Sequence, residues 1–349
     1  MIDVEKLIDY VSTRMKTIAI KHSRCCKVIS PLSKCNLCYD ICPSKAINHD
    51  DDKIVILESC YECGMCAAVC PTEALSIQKP TEFDLLEEIE KAGHSDSKIV
   101  LTCRENNKGV LQDAIVIPCL GSLSVEFLFF LNTLEFPIYI LSSEVNCQSC
   151  RIAKGRTIYF EQLKKAAIWQ QNINNTVNSI NNVTEISSII NSKEQSNDKL
   201  DIGRRQLFAN VFSSVKKIPR LTIDSFSASQ KKAYNNDENN LVFHSFRLQI
   251  LKKRLSIINI NEDCVLDNLF QPFHDKKCFL CKACVILCPV NALIYEQSNG
   301  TILLKTDKCT GCGLCVDICY NKSLKLKTKT VKSLLSKQVT ELIVDKPEA

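Results

Sequence analysis

Glycine is scarce in this chain of 349 residues, with nine in all, and there is a single tryptophan. So few glycines leave little material for phosphate-cradling loops, and neither G-x-G-x-x-G nor G-x-x-x-x-G-K-S/T occurs. That argues against the usual nucleotide-binding enzymes. A long apolar run is missing too: the longest, Val125 to Leu141, is interrupted by Glu126, Asn132, Glu135 and Pro137, all costly in lipid. No membrane span is expected. The first 24 residues carry Asp3 and Glu5 and hold neither an apolar core of signal-peptide length nor a small-residue cleavage site, so a cytoplasmic protein is expected. A net charge of +5 is mild, and no aromatic interleaving accompanies the basic residues, so nucleic acid is not an expected partner. With 45% hydrophobic and 24% charged residues the composition is that of a folded chain, long enough for two or three domains.

What the chain does have is 22 cysteines. In a reducing compartment these point to metal thiolates rather than disulfides. Nine fall in 25–70, four in 103–150, one at 264 and eight in 278–319. The dense blocks repeat each other. Cys60-x2-Cys63-x2-Cys66-x3-Cys70-Pro71 has the spacing of Cys278-x2-Cys281-x2-Cys284-x3-Cys288-Pro289, and Cys309-x2-Cys312-x2-Cys315-x3-Cys319 lacks only the proline, replaced by Tyr320. Cys35-x2-Cys38-x3-Cys42-Pro43 is the same run without its first member, since position 32 is Leu. Four copies in two pairs form an internal repeat. KIVIL at 53–57 and TILLK at 301–305, between the members of each pair, read as strands.

The pattern predicts an α+β protein: two cluster domains around a small parallel α/β domain, with a helical linker region. The expected divisions are 1–80, 81–165, 166–265, 266–330 and a basic tail at 331–349. In the middle, TEFDLLEEIEKAG reads as a helix, KIVLTC (98–103), AIVIPC (114–119) and PIYIL (137–141) as buried strands, and 122–134 as a helix between the last two. This alternation suggests a parallel sheet. Ile173, Val177, Ile180, Val183, Ile186 and Ile190 fit one helical face, which predicts a helix from 161 to about 190 that frays into an Asn-rich linker. Residues 204–260 look helical, and the pair Arg204-Arg205 reads as a surface feature. The lysine-rich stretch 322–346 is expected to be the solvated face of a terminal helix. The five histidines show no metal-ligand spacing among themselves, although His22 and His94 are the two placed to lie near a cluster.

C-x2-C-x2-C-x3-C-P is the run that holds cubane clusters in bacterial ferredoxins: three thiolates wrap one tight loop, and the fourth reaches the cluster of the partner run. Residues 25–80 and 270–328 each resemble a two-cluster bacterial ferredoxin domain. The resemblance implies four [4Fe-4S] clusters. By its crossed pattern Cys278, Cys281, Cys284 and Cys319 hold one, and Cys309, Cys312, Cys315 and Cys288 another. Cys60, Cys63, Cys66 and Cys42 make a third. The fourth has Cys35, Cys38 and Cys70 and needs one more ligand, for which Cys25 and Cys26 are both candidates, Cys25 slightly favoured; failing both, the site would hold a three-iron cluster or an iron with an exchangeable ligand. Zinc also takes C-x2-C pairs, but does not account for four-cysteine runs closed by x3-Cys-Pro.

Cys103, Cys119 and Cys147 stand at or beyond the carboxyl ends of the three expected strands, with Cys150 completing C-x2-C. Loops leaving that edge of a parallel sheet share one side of the molecule, so the four thiols are expected to converge. The competing reading makes Cys103 and Cys119 buried small hydrophobes. The segment KIVLTCREN…AIVIPCLGSLSVEFLFFL…CQSC also resembles the iron-sulfur delta subunit of methyl-viologen-reducing hydrogenases, which implies a two-iron cluster and a hydrogenase or heterodisulfide-reductase type complex as partner. The family's further cysteine is absent, Arg104-Glu105-Asn106 standing there instead. A zinc site or a redox dithiol are the alternatives.

So many one-electron centres serve electron hopping better than one substrate, so the leading expectation is an electron-transfer protein or subunit that relays electrons to or from a larger redox complex. The alternatives are an oxidoreductase with the middle domain as active site, or a cluster-based redox sensor or assembly factor. No radical-SAM C-x3-C-x2-C spacing and no Ser/His/Asp set supports an enzyme.

Overall fold

The computed structural model describes residues 17–50, 52–93, 98–108, 111–169, 177–181, 185, 245–258, 260–275 and 278–343. His94 and the Arg204-Arg205 pair lie outside the described residues. The first unit runs β1 (Ile18–Ile20), a 3-10 turn, α1 (Cys26–Ile29), α2 (Leu37–Ile41), β2 (Ile47–Asp50), β3 (Lys53–Ile56), α3 (Met65–Val69) and β4 (Leu75–Ile77). β1 pairs antiparallel with β4, and β2 with β3 as a hairpin. Alternation puts Ile47 and Ile54 inward, where they pack with Ile18, Leu75, Ala67 and Cys66. His22 faces this hairpin, its Nδ1 accepting the Ile54 N–H at 3.1 Å.

The middle unit alternates as expected: α4 (Glu82–Gly93), β5 (Ile99–Cys103), α5 (Arg104–Asn107), β6 (Ile115–Ile117), α6 (Val125–Asn132), β7 (Ile138–Leu141), α7 (Glu144–Ser149), α8 (Lys154–Ile168) and β8 (Val177–Ile180). The four strands form one parallel sheet in the order β6-β5-β7-β8. β5 is buried at every position, as a central strand covered on both faces must be. Ser124 caps α6 by accepting the Phe127 N–H, and this helix is buried from Phe127 to Asn132.

The helix expected over 161–190 is corrected. α8 ends at Ile168, and Val177 and Ile180 belong to the edge strand β8, whose Val177 N–H donates to Asn132 Oδ1 at 3.2 Å. β-branched residues three apart fit a helical face, but the open edge of β7 offers a ladder of backbone partners, and the asparagines between favour leaving the helix. Ile173, Val183, Ile186 and Ile190 lie outside the described residues.

α9 (Phe246–Leu255) is a second correction. Instead of a linker helix it is a core element, with Phe246, Leu248, Ile250, Leu251 and Leu255 joining the cluster built by α4, α6 and the sheet. The last unit runs β9 (Val265–His274), α10 (Ala283–Ile286), β10 (Leu293–Glu296), β11 (Thr301–Lys305), α11 (Leu314–Asp317), β12 (Leu324–Thr330), α12 (Val331–Leu335) and β13 (Val339–Ile343). β9 pairs with β12, and β13 adds to the β10–β11 hairpin. The basic stretch is thus no solvated terminal helix. Val331 and Leu334 are buried, at about 1.5–3 kcal/mol each, and Lys329 is 0% exposed. The ladder of β12 shifts register between Thr328 and Lys329, a bulge that turns Lys329 inward while Lys325 and Lys327 stay out.

Candidate metal centres

The cysteine repeat is also a backbone repeat. The residue three past the last cysteine of each run, Lys45, Glu73, Asn291 or Lys322, has φ near 50°. The residue after the second cysteine of the complete runs, Gly64, Lys282 or Gly313, is left-handed as well, with φ of 78°, 63° and 78°. With Glu62, Leu280 and Gly311 also left-handed, each complete run is a tight loop with such a residue on either side of its second cysteine, the latter opening a short helix that carries the third: Cys66 in α3, Cys284 in α10, Cys315 in α11. At Gly64 a Cβ would also run into Ile77 and Ser122.

In the C-terminal unit the crossed sets come together. A cavity is lined by Cys288, Cys309, Cys312 and Cys315. Cys284 lies within electrostatic reach of Cys278, Cys281 and Cys319, and Cys315 of Cys284, so the two sets adjoin. Backbone N–H groups point at the sulfurs: Leu280 donates to Cys278 at 3.3 Å, Ala292 to Cys288 at 3.3 Å and Ser323 to Cys319 at 3.2 Å. Such donors favour the thiolate and tune the potential of a bound cluster.

The N-terminal unit repeats this with one change. A cavity is lined by Cys25, Cys26, Cys35, Cys38 and Cys70. Beside it, Cys66 is close to Cys63, Cys60 and Cys42, and also to Cys38 of the neighbouring set. Cys25 sits between the 3-10 turn and α1, packed with Cys38 and Cys70. Cys26, in the first turn of α1, borders the cavity but packs across it onto the C-terminal unit. It is 3% exposed, packs on Leu314 and Ile318, and its thiol hydrogen-bonds the sulfur of Cys312 in the C-terminal unit. Where the complete runs have their first ligand loop, this run docks on that unit: the Lys34 N–H donates to Asp317 Oδ2 at 2.8 Å.

The middle four also converge. Cys103 ends β5, Cys119 follows β6, Cys147 rides on α7 and Cys150 caps its end. Cys119 is close to Cys103 and Cys147, and Cys147 to Cys103 and Cys150. Cys103 and Cys119 are also buried among apolar side chains, as the competing reading has them. Gly155, opening α8, makes room, since a Cβ there would strike the Cys119 sulfur. Ile152 N–H donates to Cys150 Sγ at 3.3 Å, and the Asn106 side chain reaches Cys147. Cys119 also lies near Cys63 and packs with it, Met65 and Ile152, so the middle set touches the N-terminal unit. Cys264 stands apart in the main core.

Burial pushes the thiols of Cys38, Cys119 and Cys284 up to about 12, and raises Cys66 and Cys315 for the same reason. Without a metal these sulfurs are neutral near pH 7, so metal binding displaces their protons. Cys312 is the exception, lowered by the hydrogen bond from Cys26. Among the described residues no three such side chains close on one point as a single metal ion needs. A cubane is a larger body with one thiolate on each of four irons, and cysteine-lined apolar cavities with inward amides suit it.

Two buried cations escaped the sequence reading because only the fold brings them inward. Arg247 at the start of α9 pairs with Glu82 at 2.9 Å and donates to the carbonyls of Ala67 and Ala68, both at 2.9 Å, in the helix between Cys66 and Cys70. Glu73 accepts from Ser245 Oγ and from the N–H groups of Phe246 and Arg247, capping the N-terminus of α9. Lys329 donates to the carbonyls of Thr306, at 2.7 Å, and Cys309.

Comparison with known proteins fits this geometry. The model of the LdpA Fe-S cluster-binding domain matches residues 30–80, and that of the 4Fe-4S dicluster domain residues 272–320. A segment of 78 residues is 30% identical to ferredoxin oxidoreductase 2 subunit ForD of Aquifex aeolicus, 22% of this chain and 85% of that subunit. The chain belongs to the family of ForD, and its residues 272–320 are a 4Fe-4S dicluster domain. Pyruvate synthase subunit PorD of Thermotoga maritima is 36% identical over 59 residues, 16% of this chain and 57% of the subunit; PorD of Methanothermobacter marburgensis is 36% identical over 59 residues, 17% and 67%. The chain thus spans little more than half the length of the first of these relatives. No solved structure matches it significantly. It is an iron-sulfur protein of electron transport with ferredoxin-like domains. Among the described residues no helix is long and apolar enough to cross a membrane. Neither family model reaches residues 98–150.

Proposed function

We propose that this protein is an electron relay with five metal centres in file, serving a larger oxidoreductase complex. The observation that carries this is the succession of neighbouring cysteine sets. Cys278, Cys281, Cys284 and Cys319 adjoin Cys288, Cys309, Cys312 and Cys315 through Cys284 and Cys315. These meet Cys25, Cys35, Cys38 and Cys70 across the Cys26–Cys312 contact, with Cys35 also facing Cys312. That set meets Cys42, Cys60, Cys63 and Cys66 through Cys38. The file ends at Cys103, Cys119, Cys147 and Cys150 through Cys63. On this reading Cys25 is the fourth ligand of the irregular site and Cys26 belongs to the junction between units. The first four sets hold [4Fe-4S] clusters and the last a two-iron cluster. When bound, such clusters supply one-electron centres whose potentials follow hydrogen bonding and solvent exposure.

The residues of the chain set the order, bury the sulfurs and supply the amide donors. Arg247 and Glu73 clamp the helix between two N-terminal sets onto the middle core. ForD and PorD are named subunits of a ferredoxin oxidoreductase and of pyruvate synthase, which supports an oxidoreductase partner for this chain. The hydrogenase-type partner rests on the delta-subunit resemblance of the middle segment alone. Coulometric titration of the isolated, cluster-loaded chain tests the reading: four or more electrons taken up reversibly, with no small substrate consumed, is the expected result. Turnover of a small substrate by the isolated chain would overturn it.

A further inference from the structure

All 22 cysteines lie among the described residues, and one of them, Cys281, is exposed. It belongs to the set at one end of the file, and the large apolar side chains beside that set are themselves open to solvent. Phe279 is 70% exposed, Ile286 75% and Tyr320 94%. Each adjoins or lies within two residues of a cysteine of that set: Phe279 lies between Cys278 and Cys281, Ile286 follows Cys284, and Tyr320 follows Cys319. Tyr320 also stands where the other three runs have proline, so a rigid turn residue has given way to an outward aromatic ring. Exposed aromatic and aliphatic residues grouped around one feature mark an interaction site rather than chance exposure.

The charge nearby has one dominant sign. Lys322, Lys325 and Lys327 are exposed along the segment leaving Cys319, and the half-exposed Lys282 follows Cys281, its ammonium over the Tyr295 ring at 3.7 Å. The carboxylates close in sequence are already engaged: Asp275 pairs with Lys325 at 2.8 Å, and Asp317 accepts the Lys34 N–H. An apolar centre with a lysine rim is complementary to an acidic partner, because rim charges steer encounter while the apolar contacts hold the complex.

We infer that the face around Cys281, Phe279, Ile286 and Tyr320, rimmed by Lys282, Lys322 and Lys327, docks an acidic one-electron carrier protein. The inference rests on the relay reading and adds where electrons cross the surface and which chemistry the partner has. Electrons pass singly between carrier and chain, one centre being oxidised as the other is reduced, with no bond made or broken.

The test uses the full-length, cluster-loaded chain, an acidic plant-type ferredoxin as probe and a basic c-type cytochrome as its opposite. Both the dissociation constant and the second-order rate of electron exchange are measured against salt. The expected result is affinity for the ferredoxin that falls with ionic strength and weakens roughly tenfold in the Lys282→Glu/Lys322→Glu double variant, while binding of the cytochrome strengthens. Lys327→Glu, farther from the cysteines, gives the same direction with a smaller change and replaces the first pair should that pair lose iron. Lys164→Glu/Lys165→Glu, on the exposed side of α8, changes net charge equally and leaves affinity as it was. Equal weakening by the α8 variant, or no effect of either rim variant, overturns the docking face while leaving the relay intact. Absence of electron exchange with both carriers, in a chain that dithionite reduces, overturns the relay and the face together.

Discussion

Replacing Arg247 by Met tests how the cluster-bearing helix is held. The guanidinium is about as buried as its partner Glu82, with side chains 10% and 11% exposed, and also holds the Ala67 and Ala68 carbonyls. Met keeps much of the volume but leaves Glu82, and the nearby Glu73 and Glu126, without a counter-ion. Removing one partner of a buried pair costs about 3–5 kcal/mol, a large share of the roughly 5–15 kcal/mol that holds a typical protein folded. Lys at this position should recover only part of the loss, since one ammonium cannot span a carboxylate and two carbonyls as the planar fork does. The assay is anoxic denaturation of the loaded chain, with iron per chain counted after gel filtration. Because Ala67 and Ala68 lie between Cys66 and Cys70, iron should leave the N-terminal sets first. A loss below about 1 kcal/mol with full iron retention, the behaviour of an exposed ion pair, would refute the reasoning.

Other perturbations separate the parts of the account. Cys25→Ser should cost iron at the irregular site and produce a three-iron EPR signal, whereas Cys26→Ala should keep the iron and weaken contact between the units; the opposite pattern would exchange their roles. The metal-free chain should lose stability as pH rises from the ordinary thiol value of 9.0 towards about 12, since buried thiols such as Cys119 are stabilised neutral and must ionise there. The loaded chain, its thiolates already ionised on metal, should not show this loss in urea titrations across that range. Lys329→Met removes a buried positive charge beside Cys309 and should move one cluster to a more negative potential in an EPR-monitored redox titration, leaving the others in place.

Much of the site was legible because ligand spacing is local. Runs such as Cys309 to Cys319 state their loops directly, and the crossed sets appear together in the fold. The middle four were legible through strand ends, since any parallel sheet brings its carboxyl-edge loops to one side. What the sequence hid depends on long-range packing. Cys25 and Cys26 are adjacent and chemically alike, and only the position of Cys312, 286 residues further along, separates them. Val177 and Ile180 satisfied a helical period until the edge of β7 was available. Lys329 sits in an alternating strand, LKLKTKT, whose bulge turns it inward, and no local pattern announces a bulge. Arg247 opens a helix that looked like linker because its acidic partners lie some 165 residues earlier.

The most direct test of the relay is low-temperature EPR of the anoxically purified full-length chain during stepwise reduction, with iron and acid-labile sulfide measured on the same sample. The account predicts about 18 irons, from four cubanes and a two-iron cluster in the middle set, and signals that broaden as neighbouring centres in the file become paramagnetic. Iron for only one or two clusters, or sharp signals that never interact as reduction proceeds, would contradict it.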